Sequence, residues 1–297
     1  MLLITAYHQL VQQLTDVGQP QPAQQARWLL SDLLAIDDAS QFWRLADGRT
    51  LSALEREQVT AAADQLLAGV PLARILGWRE FWGLPFALSP ATLEPRSDSE
   101  ILVQAFIQAH PQRDVPLRLL DLGTGSGCLM LSLLHEYPNA WGLGVDYAEA
   151  AVQTARGNAD RLGLASRVAW LQGDWAQALS TAGRSGGFDA VISNPPYLAL
   201  AEAASIDAVV TRHDPALALW GGADGLDAYR LLLASLQAVS APELWLEIGQ
   251  GQGASVVALA KAVGGWQHQD SIQDLAGIER ILQFYQTSCI SASQPLG

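Results

Sequence analysis

The chain has 297 residues, 17 Lys and Arg against 30 Asp and Glu, a formal net charge of −13, and 49% hydrophobic against 16% charged residues. The length suits about two domains and the apolar fraction a large core, while the acidic balance repels phosphate and points to a protein partner rather than DNA or RNA. Lys261 is the only lysine, the five His are scattered without metal-ligand spacing, and Cys128 and Cys289 make no disulfide framework, so Schiff-base, Walker-type and metal chemistry are not expected. No charged stretch followed by an apolar one opens the sequence, and no apolar run approaches the roughly 18 residues of a membrane span. A soluble, cytoplasmic protein without a membrane partner is the expectation.

Residues 1 to 70 read as a small helical domain. Pro22 suits the start of a helix, and Ser52-x-x-Glu55 is a capping box opening a helix to about Leu67. Trp28, Phe42 and Trp43 are expected in its core, the alternative being a face for a partner. Gly69 and Pro71 close this domain. Residues 75 to 90 set Gly77, Gly83 and Pro85 among aromatic and aliphatic residues, the pattern of a β-hairpin, here a linker over 71–95. Ser97-x-x-Glu100 reads as a second capping box, opening a helix to about Ala109. From Leu117 strands alternate with helices, which implies an α/β fold with a parallel sheet over 96–290. The strands are Leu117–Leu122, Trp141–Val145, Val168–Gln172, Phe188–Ser193 and Glu243–Ile248, closed by Trp266–Gln269 and Ile281–Tyr285. Helices are expected over Cys128–Tyr137, Ala148–Leu162, Asp224–Ala238 and Gly253–Val263, and Ala199–Val210 reads as a flap or a helix.

The chemistry-bearing residues fall at the strand ends, where open α/β sheets bind ligands. Asn194-Pro195-Pro196-Tyr197 follows an apolar strand that two prolines cannot continue. One hydrogen of a planar NH₂ group can go to the Asn194 side-chain oxygen and the other to the Pro195 carbonyl, with Tyr197 packing on its plane. Gly123-Thr124-Gly125-Ser126-Gly127, between the first strand and its helix, allows close ligand approach and presents N–H groups at a helix start. Asp146, about 20 residues on at the second strand's end, is placed to accept from ribose hydroxyls. Asp174 and Trp175, after the third strand, can bind and cover an adenine ring. Each residue alone has a plainer reading as a cap, a turn or core; their order along four strand ends does not.

This ordered set resembles the class I S-adenosylmethionine-dependent methyltransferases that act on planar nitrogens. Pro71-Leu-Ala-Arg-Ile-Leu-Gly77, Glu80-Phe-Trp-Gly-Leu-Pro-Phe86, Glu94-Pro-Arg96, Asp214-Pro-Ala-Leu217, Gly221-Gly-Ala-Asp-Gly-Leu226 and Leu246-Glu-Ile-Gly249 narrow the resemblance to the bacterial peptide chain release factor glutamine methyltransferases. It covers residues 65 to 285; the first 65 residues match in being helical. The family usually reads Ile-Pro-Arg-Pro-Asp/Glu-Thr-Glu where this chain has Glu94-Pro-Arg-Ser-Asp-Ser-Glu100, a departure that bears on cofactor or substrate affinity. The resemblance implies a Rossmann-like, mostly parallel seven-stranded sheet and S-adenosylmethionine as cofactor, its methionine part on Gly123 to Gly127, its ribose on Asp146 and its adenine on Trp175, with Asp174 and Asn194 also in the cofactor site. It implies as substrate the Gln of the Gly-Gly-Gln loop of class 1 release factors, bound by Asn194, Pro195, Pro196 and Tyr197 and methylated on its side-chain N5 by a monomer. Three rivals share parts of the pattern: a methyltransferase for a glutamine of a large-subunit ribosomal protein, an adenine-N6 nucleic-acid methyltransferase, and a non-catalytic cofactor-binding scaffold.

Overall fold

The computed structural model describes residues 1–180 and 187–287; Cys289 and the last residues of the expected α/β domain lie outside them. The chain divides into two compact units, Met1–Trp78 and Arg79–Gly297.

The first unit holds α1 (Leu3–Asp16), α2 (Pro22–Leu33), α3 (Ala39–Ala46), α4 (Ala53–Leu67) and α5 (Leu72–Leu76). Pro22 opens α2, where its missing N–H costs nothing. Both halves of the capping box at α4 form: Glu55 N donates to Ser52 Oγ at 3.2 Å, and Ser52 N to Glu55 Oε2 at 2.8 Å. The Ser52 N–H, helped by the Arg49 guanidinium, holds the Glu55 carboxyl down to about 2. Leu3, Leu14, Leu29, Leu30 and Phe42 are fully buried and make the core. The expectation for the three aromatics divides: Phe42 is core, but Trp28 and Trp43 are 46% and 47% exposed. Trp43 packs one edge on Tyr7 and Phe42 and leaves the rest to solvent.

The hairpin forms from β1 (Trp78–Phe81) and β2 (Leu84–Ala87). Its two turn residues, Trp82 and Gly83, both have positive φ, +54° and +68°, the geometry that matches strand twist in a two-residue turn. Trp82 is held there from both ends: its N–H donates to Glu100 Oε1 at 2.8 Å and its indole N–H to Glu136 Oε1 at 2.7 Å. That contact corrects the second capping box. Ser97–Ser99 is a 3₁₀ turn, α6 (Glu100–Ala109) begins after it, and neither segment has a side-chain cap. The Glu100 carboxylate instead accepts the N–H of the hairpin turn, a tertiary partner that local spacing does not reveal.

The remaining elements are β3 (Arg118–Leu122), α7 (Cys128–Glu136), β4 (Trp141–Asp146), α8 (Glu149–Arg161), β5 (Val168–Gln172), β6 (Ala190–Ser193), α9 (Ala208–His213), α10 (Ala216–Leu219), α11 (Asp227–Ser235), β7 (Glu243–Glu247), α12 (Gly253–Val263), β8 (Trp266–Gln273) and β9 (Glu279–Gln286). The seven strands β3–β9 form one sheet in the order β5-β4-β3-β6-β7-β9-β8. Pairs from β5 to β7 are parallel, and β9 is antiparallel to β7 and β8. Helices cover both faces, so strand residues are buried on either side. Leu119 and Ile192 face one apolar cluster with Phe106 and Met130, and Leu120 and Val191 the other with Leu232 and Leu244.

Two local expectations shift. The helix expected from Asp224 starts at Asp227, because Asp224 lies outside the helix and pairs with Arg230 (2.6 Å), which also holds Asp227 (2.7 Å). Ala199–Val210 is neither a single flap nor a single helix: a 3₁₀ turn at Leu200–Glu202 precedes α9. Within β4, a Cβ added to Gly144 would run into the Trp170 ring. Gly144→Ala is therefore expected to destabilise the protein by about 1–3 kcal/mol through overpacking, read as a lower midpoint in urea unfolding followed by Trp fluorescence.

Candidate active site

Chain order reverses at β3: the chain runs outward through β4 and β5, then returns to place β6 on the other side of β3. Loops leaving β3 and β6 therefore diverge and open a crevice at the carboxyl ends of the strands. All the residues singled out in the sequence sit along that edge: Gly123 to Gly127 after β3, Asp146 at the end of β4, Asp174 and Trp175 after β5, and Asn194 to Tyr197 after β6.

Two cavities occupy this edge. The first, of about 560 Å³, is lined by Gly123, Thr124, Gly125, Ser126, Asp146, Asp174, Trp175, Asn194 and Pro196, together with Tyr147, Leu217 and Trp220. Its volume is in the range of small-molecule sites. The second, of about 1080 Å³, is lined by Asn194, Tyr197, Arg79, Arg280, Asp98 and Gln252 among others. Leu93, Arg96, Asn194 and Ala218 line both. Among the residues singled out in the sequence, Asn194 alone has this double position. Gly127 and Pro195 line neither cavity. A Cβ on Gly127 would sit 3.0 Å from the Trp170 ring and 3.2 Å from Ala155, so its bare backbone seats the start of α7 on its neighbours.

The glycine loop differs from expectation in one respect. Four of its five N–H groups are already engaged, leaving that of Ser126: Gly123 and Thr124 N both donate to Val145 O, Gly127 N to Thr124 O, and Gly125 N to Asp146 Oδ2 at 2.8 Å. The loop is tied to β4, and what it offers is a wall without side chains. Asp146 is held in turn, since its Oδ1 accepts from Ala148 N at 2.9 Å. A carboxylate has about four acceptor positions, so acceptor capacity remains for the cavity. Burial raises the Asp146 pKa against these hydrogen bonds. Asp121, on β3 beneath the loop, is 1% exposed; Thr124 Oγ1 donates to its Oδ2 at 2.6 Å, and its Oδ1 has no partner. Burial pushes its carboxyl up to about 7. Asp121 lines neither cavity but lies behind Thr124, which does; a buried, half-satisfied acid just behind the wall fits a ligand carrying a positive charge. Trp175 has φ +50°, an uncommon conformation for a bulky side chain, and its ring lies 3.5 Å from where a Gly123 Cβ would be.

The turn after β6 is held from beneath and behind. Ser193 Oγ donates to Leu122 O at 2.6 Å, locking the end of β6 to β3. Gln252 Nε2 donates to Tyr197 O at 2.9 Å, while its Oε1 accepts from Gly249 N at 3.0 Å. The segment after α10 pairs with the turn through Leu198 N to Leu219 O and Gly221 N to Leu198 O. A Cβ at Gly221 would come within 2.6 Å of Pro196 O, which explains a glycine there. Among the described residues no donor pairs with the Pro195 carbonyl.

Several site residues were not assigned from sequence. Arg96 lines both cavities and pairs with Asp214 at 2.5 Å, while Glu94 N donates to Asp214 Oδ1 at 3.1 Å. Two of the quoted motif fragments thus meet across 118 positions of sequence. Ser99 accepts the Asn194 amide, Nδ2 to Oγ 3.0 Å, and Glu247 at the end of β7 adjoins both. The Leu246-Glu-Ile-Gly249 fragment contained that signal but carried no chemistry of its own.

The fold and this edge define a class I methyltransferase, and similarity to known proteins agrees. A methyltransferase domain model matches residues 114–219 and a PrmC N-terminal domain model residues 5–77, reaching into the stretch where the sequence showed only helices. The release factor glutamine methyltransferase of Bradyrhizobium diazoefficiens is 42% identical over 259 residues, 86% of this chain and 85% of that one. The namesake enzyme of Caulobacter vibrioides is 34% identical over 288 residues, 95% and 96% of the two chains. Among solved structures, the hMettl16 catalytic domain in complex with an RNA hairpin shares the fold alone, with a TM-score of 0.54 at 13% identity over 80% of this chain and 85% of that one. The chain belongs to the release factor glutamine methyltransferase family, and its cofactor is S-adenosylmethionine. No helix among the described residues is long and apolar enough to cross a membrane.

Asp146→Ala should raise the cofactor Kd about tenfold or more, the scale of one charged hydrogen bond, with a smaller effect on the saturated rate; isothermal titration checks it. The raised Asp121 pKa has a defined sign. Below about pH 4 the carboxyl is protonated in both folded and unfolded chains; between there and about 7 the folded chain holds more protons, so stability falls as pH rises. Asp121→Asn should therefore raise the Tm of the cofactor-free protein at about pH 8, an increase that fades toward about pH 4, and should weaken cofactor binding.

Proposed function

We propose that this enzyme transfers a methyl group from S-adenosylmethionine to the side-chain N5 of the glutamine in the Gly-Gly-Gln loop of class 1 peptide chain release factors. The observation that carries the reading is the position of Asn194 on the wall common to both cavities, with its NH₂ taken by Ser99 and its Oδ1 left to accept.

The cofactor supplies a strongly electrophilic sulfonium methyl. An amide nitrogen is a weak nucleophile because its lone pair is shared with the carbonyl, so placement in line with the methyl supplies much of the rate. In this reading Gly123 to Ser126 wall the methionine end, Asp146 accepts from the ribose, and Asp174 and Trp175 take the adenine. The glutamine enters from the larger cavity. Its two amide hydrogens go to Asn194 Oδ1 and the Pro195 carbonyl, and Pro196 and Tyr197 pack along its side chain. As the nitrogen becomes positive, both oxygens interact more strongly with those hydrogens, a stabilisation aimed at developing charge. The N-alkylated amide is then acidic enough to lose its proton without a dedicated base.

The net charge of −13 supports a protein substrate rather than nucleic acid, and the relatives at 42% and 34% identity carry the release factor name. The reading extends to a cytoplasmic monomer whose helical unit grips another part of the factor, with Trp28 and Trp43 offering aromatic surface. Purified class 1 release factor should take radiolabelled methyl from S-adenosylmethionine, and the same factor with the Gly-Gly-Gln glutamine changed to alanine should take none. Label on both, or on a ribosomal protein instead, would overturn the assignment. Asn194→Ala should lose about 2–4 kcal/mol of transition-state stabilisation, read as kcat/KM.

A further inference from the structure

The parallel register of β6 and β7 pairs Ser193 with Leu246, so the next residues, Asn194 and Glu247, emerge side by side at the strand ends. Ser99, in the 3₁₀ turn before α6, lies against both. Asn194 Nδ2 donates to Ser99 Oγ at 3.0 Å, and the Glu247 carboxyl adjoins both side chains, Ser99 and Asn194 each favouring its charged form. Ser99 and Glu247 are 3% and 2% exposed, and Glu247 Oε2 has no hydrogen-bond partner. Glu247 lines neither cavity.

The two ends of an asparagine amide have nearly the same shape and opposite hydrogen-bonding character. Presented oxygen-first, Asn194 accepts from a substrate NH₂; presented nitrogen-first, it opposes donor to donor. Ser99 alone cannot choose, because a hydroxyl both donates and accepts. An ionised carboxylate only accepts. Buried beside both side chains, it draws the Ser99 hydrogen to itself, leaves a Ser99 lone pair for one Asn194 N–H, and itself favours the NH₂ end of Asn194 over the oxygen. We propose that Ser99 and Glu247 are positioning residues for methyl transfer, a relay that fixes the Asn194 side chain with Oδ1 toward the substrate nitrogen.

This rests on the glutamine methyltransferase reading and adds two residues to it. Glu247 is faced by Asp98 and Ser99 from the 3₁₀ turn, Asn194 and Tyr197 from the turn after β6, Arg280 from β9, Tyr229 from α11 and Cys128 from α7. Arg280 is itself paired with Asp98 at 3.1 Å and Asp274 at 3.0 Å, which leaves Glu247 without a dedicated cation. Burial pushes the Glu247 carboxyl up to about 7. Once protonated it can donate to Ser99 and the direction of the relay is lost, so turnover is expected to rise with pH through this range.

The test measures kcat with release factor and cofactor saturating, across pH, for the wild type, Ser99→Ala, Ser99→Thr, Glu247→Gln and the Ser99→Ala/Glu247→Gln double variant. Ser99→Ala and Glu247→Gln should each lower kcat by up to about 10²-fold, the scale of a misplaced reacting group. Glu247→Gln should keep the wild-type cofactor Kd and lose the rise through neutral pH; Ser99→Thr, which retains the hydroxyl, should restore most of the rate. The double variant should be no slower than the worse single one. An unchanged kcat and pH profile in Glu247→Gln, a Ser99→Thr as slow as Ser99→Ala, or losses that multiply in the double variant would overturn the relay. A wild type that labels no release factor sinks the substrate reading instead. In that case the Asn194 side-chain NH₂ resonances, assigned by their loss in Asn194→Ala, still decide: they should shift with pH near neutrality in the wild type and not in Glu247→Gln, and a flat response in both rules the relay out.

Discussion

The site depends on the pairing of β6 with both β3 and β7 at the point where strand order reverses. The β3 pairing sets the glycine loop beside Asn194, and Ser193 Oγ fastens the end of β6 to Leu122 O. The β7 pairing sets Glu247 beside Asn194. Because parallel strands end on the same edge, a residue one step past the ladder on each strand falls into one row. The cofactor side, the amide holder and its buried support are successive members of that row. Once the sheet is formed, little further adjustment is needed to bring the reacting groups together.

Rigidity around this row comes from polar groups used internally. The glycine loop ties three of its N–H groups to Val145 O and Asp146, and Gln252 joins the Asn-Pro-Pro-Tyr turn to the loop after β7. Arg96 and Asp214 join the segment before α6 to the segment before α10. Asp121 and Glu247 stand apart: both are buried carboxyls with one unpartnered oxygen and both are raised to about 7. Such groups weaken the fold and are retained where a site gains from them. One lies below the smaller cavity and the other beneath the asparagine at its junction with the larger, so the unfavourable burial is concentrated where binding and transfer take place.

The sheet strands were legible to within two residues at most boundaries, because a parallel strand buried on both faces must be continuously apolar and must end in polar or glycine residues. The capping box at Ser52 was legible because both of its partners lie within one helical turn. The similar spacing at Ser97 misled, since Glu100 finds the N–H of Trp82 in the hairpin. Trp28 and Trp43 misled for a related reason. Hydrophobic character does not say which face of a helix a neighbour will cover, and only Phe42 of that group is enclosed.

The sequence by itself determined the α/β class, the order of the strand-end motifs and the candidate residues for cofactor and amide, because each depends on neighbours within a few positions. Tertiary structure alone decided that Asn194 borders two cavities, that the glycine loop gives three of its N–H groups to β4, and that Ser99 and Glu247 meet the asparagine amide. Those contacts join residues 21 to 148 positions apart. Their partners are chosen by strand register and by the turn that precedes α6, and no local periodicity encodes either.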